Sequence, residues 1–148
     1  MHREQQAARR PARGRVLAVI ALGGALGAPA RYGVAQLVHV ANGSFPWATF
    51  WTNITGSFAL GVVLVLILER FPPTRYVRPL VATGFLGAYT TYSTFTVETD
   101  LLVRNGHTGI GIAYALASLV AGFVAVWAGM LVARAIRLPA REGGSRGE

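Results

Sequence analysis

Gly84-Phe85-Leu86-Gly87-Ala88-Tyr89-Thr90-Thr91-Tyr92-Ser93-Thr94-Phe95-Thr96 changes character halfway along. Up to Tyr89 it is apolar and glycine-dotted, and beyond Tyr89 most residues carry a hydroxyl. It lies inside a long apolar run that starts near Val77 and ends near Val103, closed by Arg104. Glycine and threonine in the middle of such a run predict a helix that breaks inside the bilayer. A break of that kind persists only where protein or water satisfies the freed backbone groups.

Working outward, three more apolar runs flank this one, at about 16–40, 47–68 and 109–132. Each exceeds the ~20 residues that cross a hydrocarbon core of ~30 Å. The first contains Pro29 and Arg31 and ends in the turn signal Asn42-Gly43-Ser44. The second ends at Glu69-Arg70, before the breaker Pro72-Pro73. The expectation is an all-α membrane protein with four transmembrane helices, the third one broken. Residues 1–15 form a basic cytoplasmic tail, 16–134 the four-helix domain with spans of about 16–40, 47–68, 77–103 and 109–132, and 135–148 a C-terminal tail.

Composition agrees. Hydrophobic residues make up 53% of the 148 and charged residues only 14%, and Tyr32–Leu68 and Thr108–Ala133 hold no Asp, Glu, Lys or Arg. A soluble helix keeps a polar face, so these runs face lipid or a bundle interior. All fourteen basic residues are arginine, and the net charge is +8. They flank apolar spans instead of interleaving with aromatics, so the charge follows the positive-inside rule and not nucleic-acid binding. The arginine-rich start resembles a targeting peptide, but no small-residue cleavage site follows the first apolar run. The chain has no cysteine, and His2, His39 and His107 have no ligand-spaced partner. Disulfide, thiolate and metal-catalysed chemistry drop out, and no enzyme is expected.

Small residues recur at packing spacing: Gly23 with Gly27, Ser57 with Gly61, and the ladder Ala113, Ala117, Ala121, Ala125, Gly129. Close backbone approach drives helix association where the hydrophobic effect cannot. So many small faces on four thin helices predict a dimer.

Polar residues within the spans are few. Thr49, Asn53 and Ser57 share one face of the second helix, and Tyr114 and Ser118 share one face of the fourth, with Gly122 next in line. Each row reads either as interhelical hydrogen bonding or as donors along a pore. Tyr92 and Phe95, at i and i+3, are either core or a pair of ring edges, and the edge is the positive part of an aromatic quadrupole. Arg31 either snorkels to the interface or serves a functional site. The inventory is donor-rich and carboxylate-poor, which suits an anion exchanging its water for donors. Nucleophile–base pairs, phosphate loops and paired carboxylates are absent.

Three stretches are similar to the motifs of one family. Gly23-Gly24-Ala25-Leu26-Gly27-Ala28-Pro29-Ala30-Arg31-Tyr32 resembles the GGxxGAxxRY signature of the Fluc (CrcB) fluoride channels. Thr52-Asn53-Ile54-Thr55-Gly56-Ser57-Phe58-Ala59-Leu60-Gly61 resembles their NxxGSFxxG, and the opening stretch their GFxGxxTTFSTF. The resemblance covers all four spans in order. It implies a passive fluoride-specific channel that protects the cell by efflux, built as an antiparallel dimer of four-helix subunits.

By position it further implies that Asn53 is the pore amide and that Tyr92 and Phe95 are the aromatic box, with Ser93 and Thr94 between them. Tyr114 and Ser118 become the hydroxyl track, Thr49 a pore-row donor and Arg31 the motif arginine. Backbone carbonyls of Gly87 and Thr90, from both subunits, become ligands of a structural sodium ion (Na+). Tyr92 stands where the family pattern has phenylalanine, and Gly122 where some members continue the hydroxyls.

Two other classes compete. A proton-coupled exporter needs a membrane-embedded carboxylate, for which only Glu98 and Asp100 are candidates. A non-transporting scaffold explains the small faces but not the donor rows. Charge also bears on the partner. Twelve arginines lie in the two tails and the loop between spans two and three, against Arg104 alone on the other side. The positive-inside rule then places both termini in the cytoplasm. Such a bias points to a separately encoded homologous subunit inserted the opposite way, an antiparallel heterodimer. The alternative is a homodimer of a chain that inserts both ways.

Overall fold

The computed structural model describes residues 2–70 and 75–136. The Pro72-Pro73 breaker and the C-terminal tail beyond Ile136, with Arg137, Arg141 and Arg146, therefore lie outside the described residues. Every element among the described residues is helical: α1 (His2–Leu37), α2 (Trp47–Val65), α3 (π-helical Pro79–Leu86 continuing as α-helical Gly87–Tyr89), α4 (Tyr92–Arg104) and α5 (Thr108–Ala135). A π-helical turn, Leu66–Arg70, extends α2. The segment expected as a basic tail continues the first helix, and α1 runs unbroken through Pro29.

Three helices are long and apolar enough to cross a membrane, over Arg13–Leu37, Trp47–Glu69 and Thr108–Ala135. The third apolar run is the exception because it is split. Between α3 and α4 the chain turns extended, with φ −77°, ψ 158° at Thr90 and φ −146°, ψ 123° at Thr91. The break thus falls on two β-branched residues, whose crowded Cβ favours extended backbone, and not on the glycines that precede them. Thr91 then caps α4, its Oγ1 accepting the Thr94 N–H at 3.2 Å.

Glycines set the packing. α1 lies along α3, and α2 along α5. A Cβ at Gly23 would stand 2.2 Å from Leu80 O, one at Gly27 2.2 Å from Phe85 O, and one at Gly84 2.6 Å from Ile20 O. In the second pair, a Cβ at Gly61 would stand 2.2 Å from Val126 O, and one at Gly129 2.2 Å from Phe58 O. Backbone meets backbone in both pairs, as small-xxx-small faces allow. Only part of the expected α5 ladder serves this contact: Ala125 and Gly129 are buried, whereas Ala113 is exposed. Steps of four residues drift by about 40° around a helix of 3.6 residues per turn, so five rungs cannot all face one neighbour.

Large apolar side chains remain outside. On α5, Leu116, Leu119, Val120, Phe123, Val124 and Trp127 are all exposed. Tyr114 is the largest side chain that is fully buried among the described residues. A chain that leaves so much apolar surface uncovered is built to meet lipid or another protein surface.

Substituting alanine at Gly61 or Gly129 should lower the stability of detergent-solubilised protein by about 1–3 kcal/mol, because a methyl group would collide with backbone that cannot yield. Gly14→Ala, in α1 with nothing within 4 Å of the added Cβ, should be neutral or stabilise by up to about 1 kcal/mol. Denaturant titration followed by helical circular dichroism checks both expectations.

Candidate functional site

The break in the third apolar run leaves backbone groups without helical partners. Asn53, on α2, supplies them. Its Nδ2 donates to Thr91 O at 3.0 Å, and its Oδ1 accepts the Thr91 N–H at 2.9 Å. One side-chain amide thereby imitates a paired peptide. Gly56, one turn further on, makes this approach possible, since a Cβ there would stand 2.3 Å from Thr90 Cγ2. The asparagine and the glycine of the Asn-x-x-Gly-Ser stretch are two halves of one contact.

The break also changes the carbonyls. In a continuous helix the N–H groups of Thr91 and Thr94 would point at Gly87 O and Thr90 O. Here Thr91 N donates to Asn53 Oδ1, and Thr94 N to Thr91 Oγ1. Two oxygens at the break are thereby deprived of their regular donors.

Beside the break lies an open cavity of about 360 Å³. Asn53, Ser57, Thr90, Tyr92, Phe95 and Ser118 are among its lining residues, and Gly87 is at its wall. The Ser118 hydroxyl is buried and has no hydrogen-bond partner among the described residues. Tyr92 and Phe95 sit with ring centroids 6.0 Å apart and planes tilted by 39°. Tyr92 is 80% exposed, so the cavity is not closed on that side by this chain. Ser93 and Thr94, also exposed, stay within the α4 cap, where Thr91 Oγ1 lies 3.3 Å from Ser93 Oγ and donates to Thr94 Oγ1 at 3.0 Å.

Not every residue of the expected rows lines this cavity. Tyr114 is fully buried, and its hydroxyl donates to Glu98 Oε2 at 2.9 Å. Thr49 donates to Glu98 Oε1 at 2.8 Å. Both hydroxyls therefore converge on one carboxylate, whose charge strengthens such bonds. The Tyr114 ring packs on Phe95 with centroids 5.2 Å apart, which joins this cluster to the cavity wall. Gly122 approaches Ser57, and a Cβ added there would stand 3.8 Å from Ser57 Oγ. Arg31 stands elsewhere, half-buried in a cavity of about 270 Å³ that Thr49, Thr52, Thr91 and Thr94 also line.

Glu98 is the central residue that the motifs do not identify. Its signal is present in the spacing, because Thr91, Thr94 or Phe95, and Glu98 recur at helical intervals on one face. The other carboxylate of that segment, Asp100, is exposed and paired with Arg104 at 2.7 Å.

Comparison with known proteins adds an independent line. The family model described as CrcB-like protein, Camphor Resistance (CrcB), matches residues 18–130. The chain is 46% identical over 136 residues to the fluoride-specific ion channel FluC 3 of Streptomyces avermitilis, an alignment covering 88% of this chain and 67% of that one. FluC 2 of the same organism is 46% identical over 104 residues, 70% of this chain and 66% of that one. FluC 1 of Mycolicibacterium paratuberculosis is 41% identical over 124 residues, 84% of this chain and 94% of that one. The chain thus spans about two thirds of the length of the streptomycete relatives and nearly all of the mycobacterial one.

Asn53→Ala removes both bonds to the Thr91 backbone and should cost about 1–3 kcal/mol of stability, the scale of an unsatisfied buried backbone pair. Asn53→Asp keeps the acceptor for Thr91 N–H but turns a carboxylate toward Thr91 O, and should cost at least as much. Hydrogen exchange at the Thr91 amide, faster in both variants than in the parent, is the site-specific measurement.

Proposed function

We propose a function from one premise: this chain belongs to the CrcB-like family. It is a membrane protein, and we infer that it is a fluoride-specific channel lowering cytoplasmic fluoride by passive efflux. The observation that carries this is the cavity beside the helix break, with the unpartnered Ser118 hydroxyl in its wall. A small anion needs donors to replace its water, without a full positive charge that would trap it. Hydroxyls, the Asn53 amide and two aromatic edges are such a set.

Tyr92 and Phe95 form the aromatic part of the path, and the exposure of Tyr92 supports a second subunit completing it. We assign that subunit an antiparallel orientation. The two carbonyls stripped of their helical donors, those of Gly87 and Thr90, fit a hard cation, and we assign them to a structural sodium ion; oxygen ligands are what such an ion takes. The arginine bias supports a cytoplasmic location for both termini. It also supports an antiparallel heterodimer with a separately encoded homologue, an arrangement with which the two Streptomyces avermitilis channels are consistent.

Fluoride efflux from proteoliposomes, driven by a potassium potential without a proton gradient, is the direct test. The expected outcome is rapid fluoride release with chloride retained, and about tenfold slower release for Phe95→Ile, which loses the ring edge. Release that needs a proton gradient would instead support an exporter operating through Glu98. Replacing sodium with a bulky organic cation in the same preparation should lower thermal stability; no change would remove the sodium assignment.

Reporter fusions at the C-terminus, expressed without homologues, should be active only on the cytoplasmic side. Activity on both sides, with fluoride resistance from this chain alone, would replace the heterodimer by a homodimer.

A further inference from the structure

The end of the molecule away from Glu98 and Asp100 gathers arginines from two helices. α1 is long and apolar enough to cross a membrane from Arg13 onward, and the helical residues of α3 begin at Pro79, just after Arg78. The two helices lie side by side and run the same way. A Cβ at Gly23 would stand 3.0 Å from Gly84 Cα, and one at Gly27 would stand 3.1 Å from Tyr89 N. Counting back equally from Gly23 and Gly84 brings Gly14 level with Arg75, and Leu17 level with Arg78. Arg13, Arg15, Arg75 and Arg78 therefore share one level at the start of the α1–α3 pair, and all four are exposed.

Their charges are unopposed. None of the four has an ion-pair partner among the described residues. Glu69, the described carboxylate at this end, is already held by Arg134 of α5, whose Nη2 lies 2.7 Å from its Oε1. The other end is balanced, with Arg104 paired to Asp100. Like charges at one level repel one another, and a bound anion relieves that repulsion.

The same two helices expose apolar side chains next to these arginines and further inward. Leu17, Leu22 and Leu26 are exposed on α1, and Tyr76 and Val77 stand exposed between Arg75 and Arg78. Arginines bordering exposed apolar side chains, with a tyrosine at the boundary, match the chemistry of a membrane interface. A soluble polyanion would engage the guanidinium groups and leave the leucines uncovered. A phospholipid engages both, because its phosphate accepts paired N–H bonds from a guanidinium fork while its acyl chain covers apolar surface.

We propose that Arg13, Arg15, Arg75 and Arg78 form a binding surface for anionic phospholipid of the adjoining leaflet. The guanidinium groups hold the phosphates, and the acyl chains lie against the exposed apolar residues beside them. This needs only that the chain is a membrane protein and stands apart from the channel reading. Because the surface spans α1 and α3, a bound headgroup ties together the starts of the two helices. Each arginine near an anionic lipid surface contributes about fivefold to association, and salt screens that contribution.

The test is native mass spectrometry of the full chain in mild detergent, with phosphatidylglycerol or phosphatidylcholine added at equal concentration. Phosphatidylglycerol should bind about tenfold more tightly, and most of that advantage should vanish at about 0.5 M salt. Replacing all four arginines by glutamine should reduce its affinity to that of phosphatidylcholine, whereas Arg104→Gln, at the other end, should keep the preference. If the fourfold variant does not accumulate, Arg13→Gln with Arg15→Gln, and Arg75→Gln with Arg78→Gln, are measured as two double variants. Each should weaken phosphatidylglycerol binding by about threefold or more. Equal affinity for the two lipids in the parent, or a preference unchanged in the variants, overturns the proposal. Full displacement of the lipid by millimolar inorganic phosphate would make this a free-anion site, and full displacement by an RNA oligonucleotide a nucleic-acid surface. Either result overturns the lipid assignment.

Discussion

Backbone N–H and C=O groups inside a bilayer must find partners, and those of Thr91 find them in the side chain of Asn53. Both are held, at 2.9 and 3.0 Å. Leaving such groups unpaired in hydrocarbon would cost several kcal/mol. With the amide in place, the third apolar run can stop as α3, pass through two extended threonines and restart as α4. The cavity, the freed carbonyls and the aromatic pair are all consequences of that interruption. A continuous helix would have none of them.

The glycine contacts are the other half of the same construction. Gly56 allows α2 close enough for the amide to reach, while Gly23, Gly27 and Gly84 hold α1 against α3. On the other side Gly61 and Gly129 clamp α2 to α5. Packing by backbone contact keeps the helices close together. It also leaves the large apolar side chains of α5 pointing outward, toward lipid or a neighbour, instead of into a core.

Glu98 connects this scaffold to the chemistry. A carboxylate within an apolar run is expensive unless its oxygens are bonded. Thr49 and Tyr114 bond both oxygens, each from a different helix. The same hydroxyls that make a donor row when viewed along one helix are therefore engaged once three helices are brought together. Donors free to meet an ion are then found elsewhere, at Ser118 and along the cavity beside the break.

Hydropathy alone determined that the chain is helical and membrane-embedded, because a bilayer leaves few other ways to satisfy a backbone. The position of the third-helix weakness was equally legible, since the change from apolar to hydroxyl residues at Tyr89 is local. So were Gly23, Gly27 and Gly61 as packing positions; Asn53, Tyr92, Phe95 and Ser118, singled out on three different helices, line one cavity. What a helix face cannot reveal is the partner of each group on it. That Asn53 binds the Thr91 backbone, that Thr49 and Tyr114 share Glu98, and that the α5 ladder is used only near Ala125 and Gly129 are all matters of contact between segments far apart in the chain. Spacing fixes the direction in which a side chain points. Only the packing of whole helices, set by backbone contacts at a few glycines, decides what it meets there.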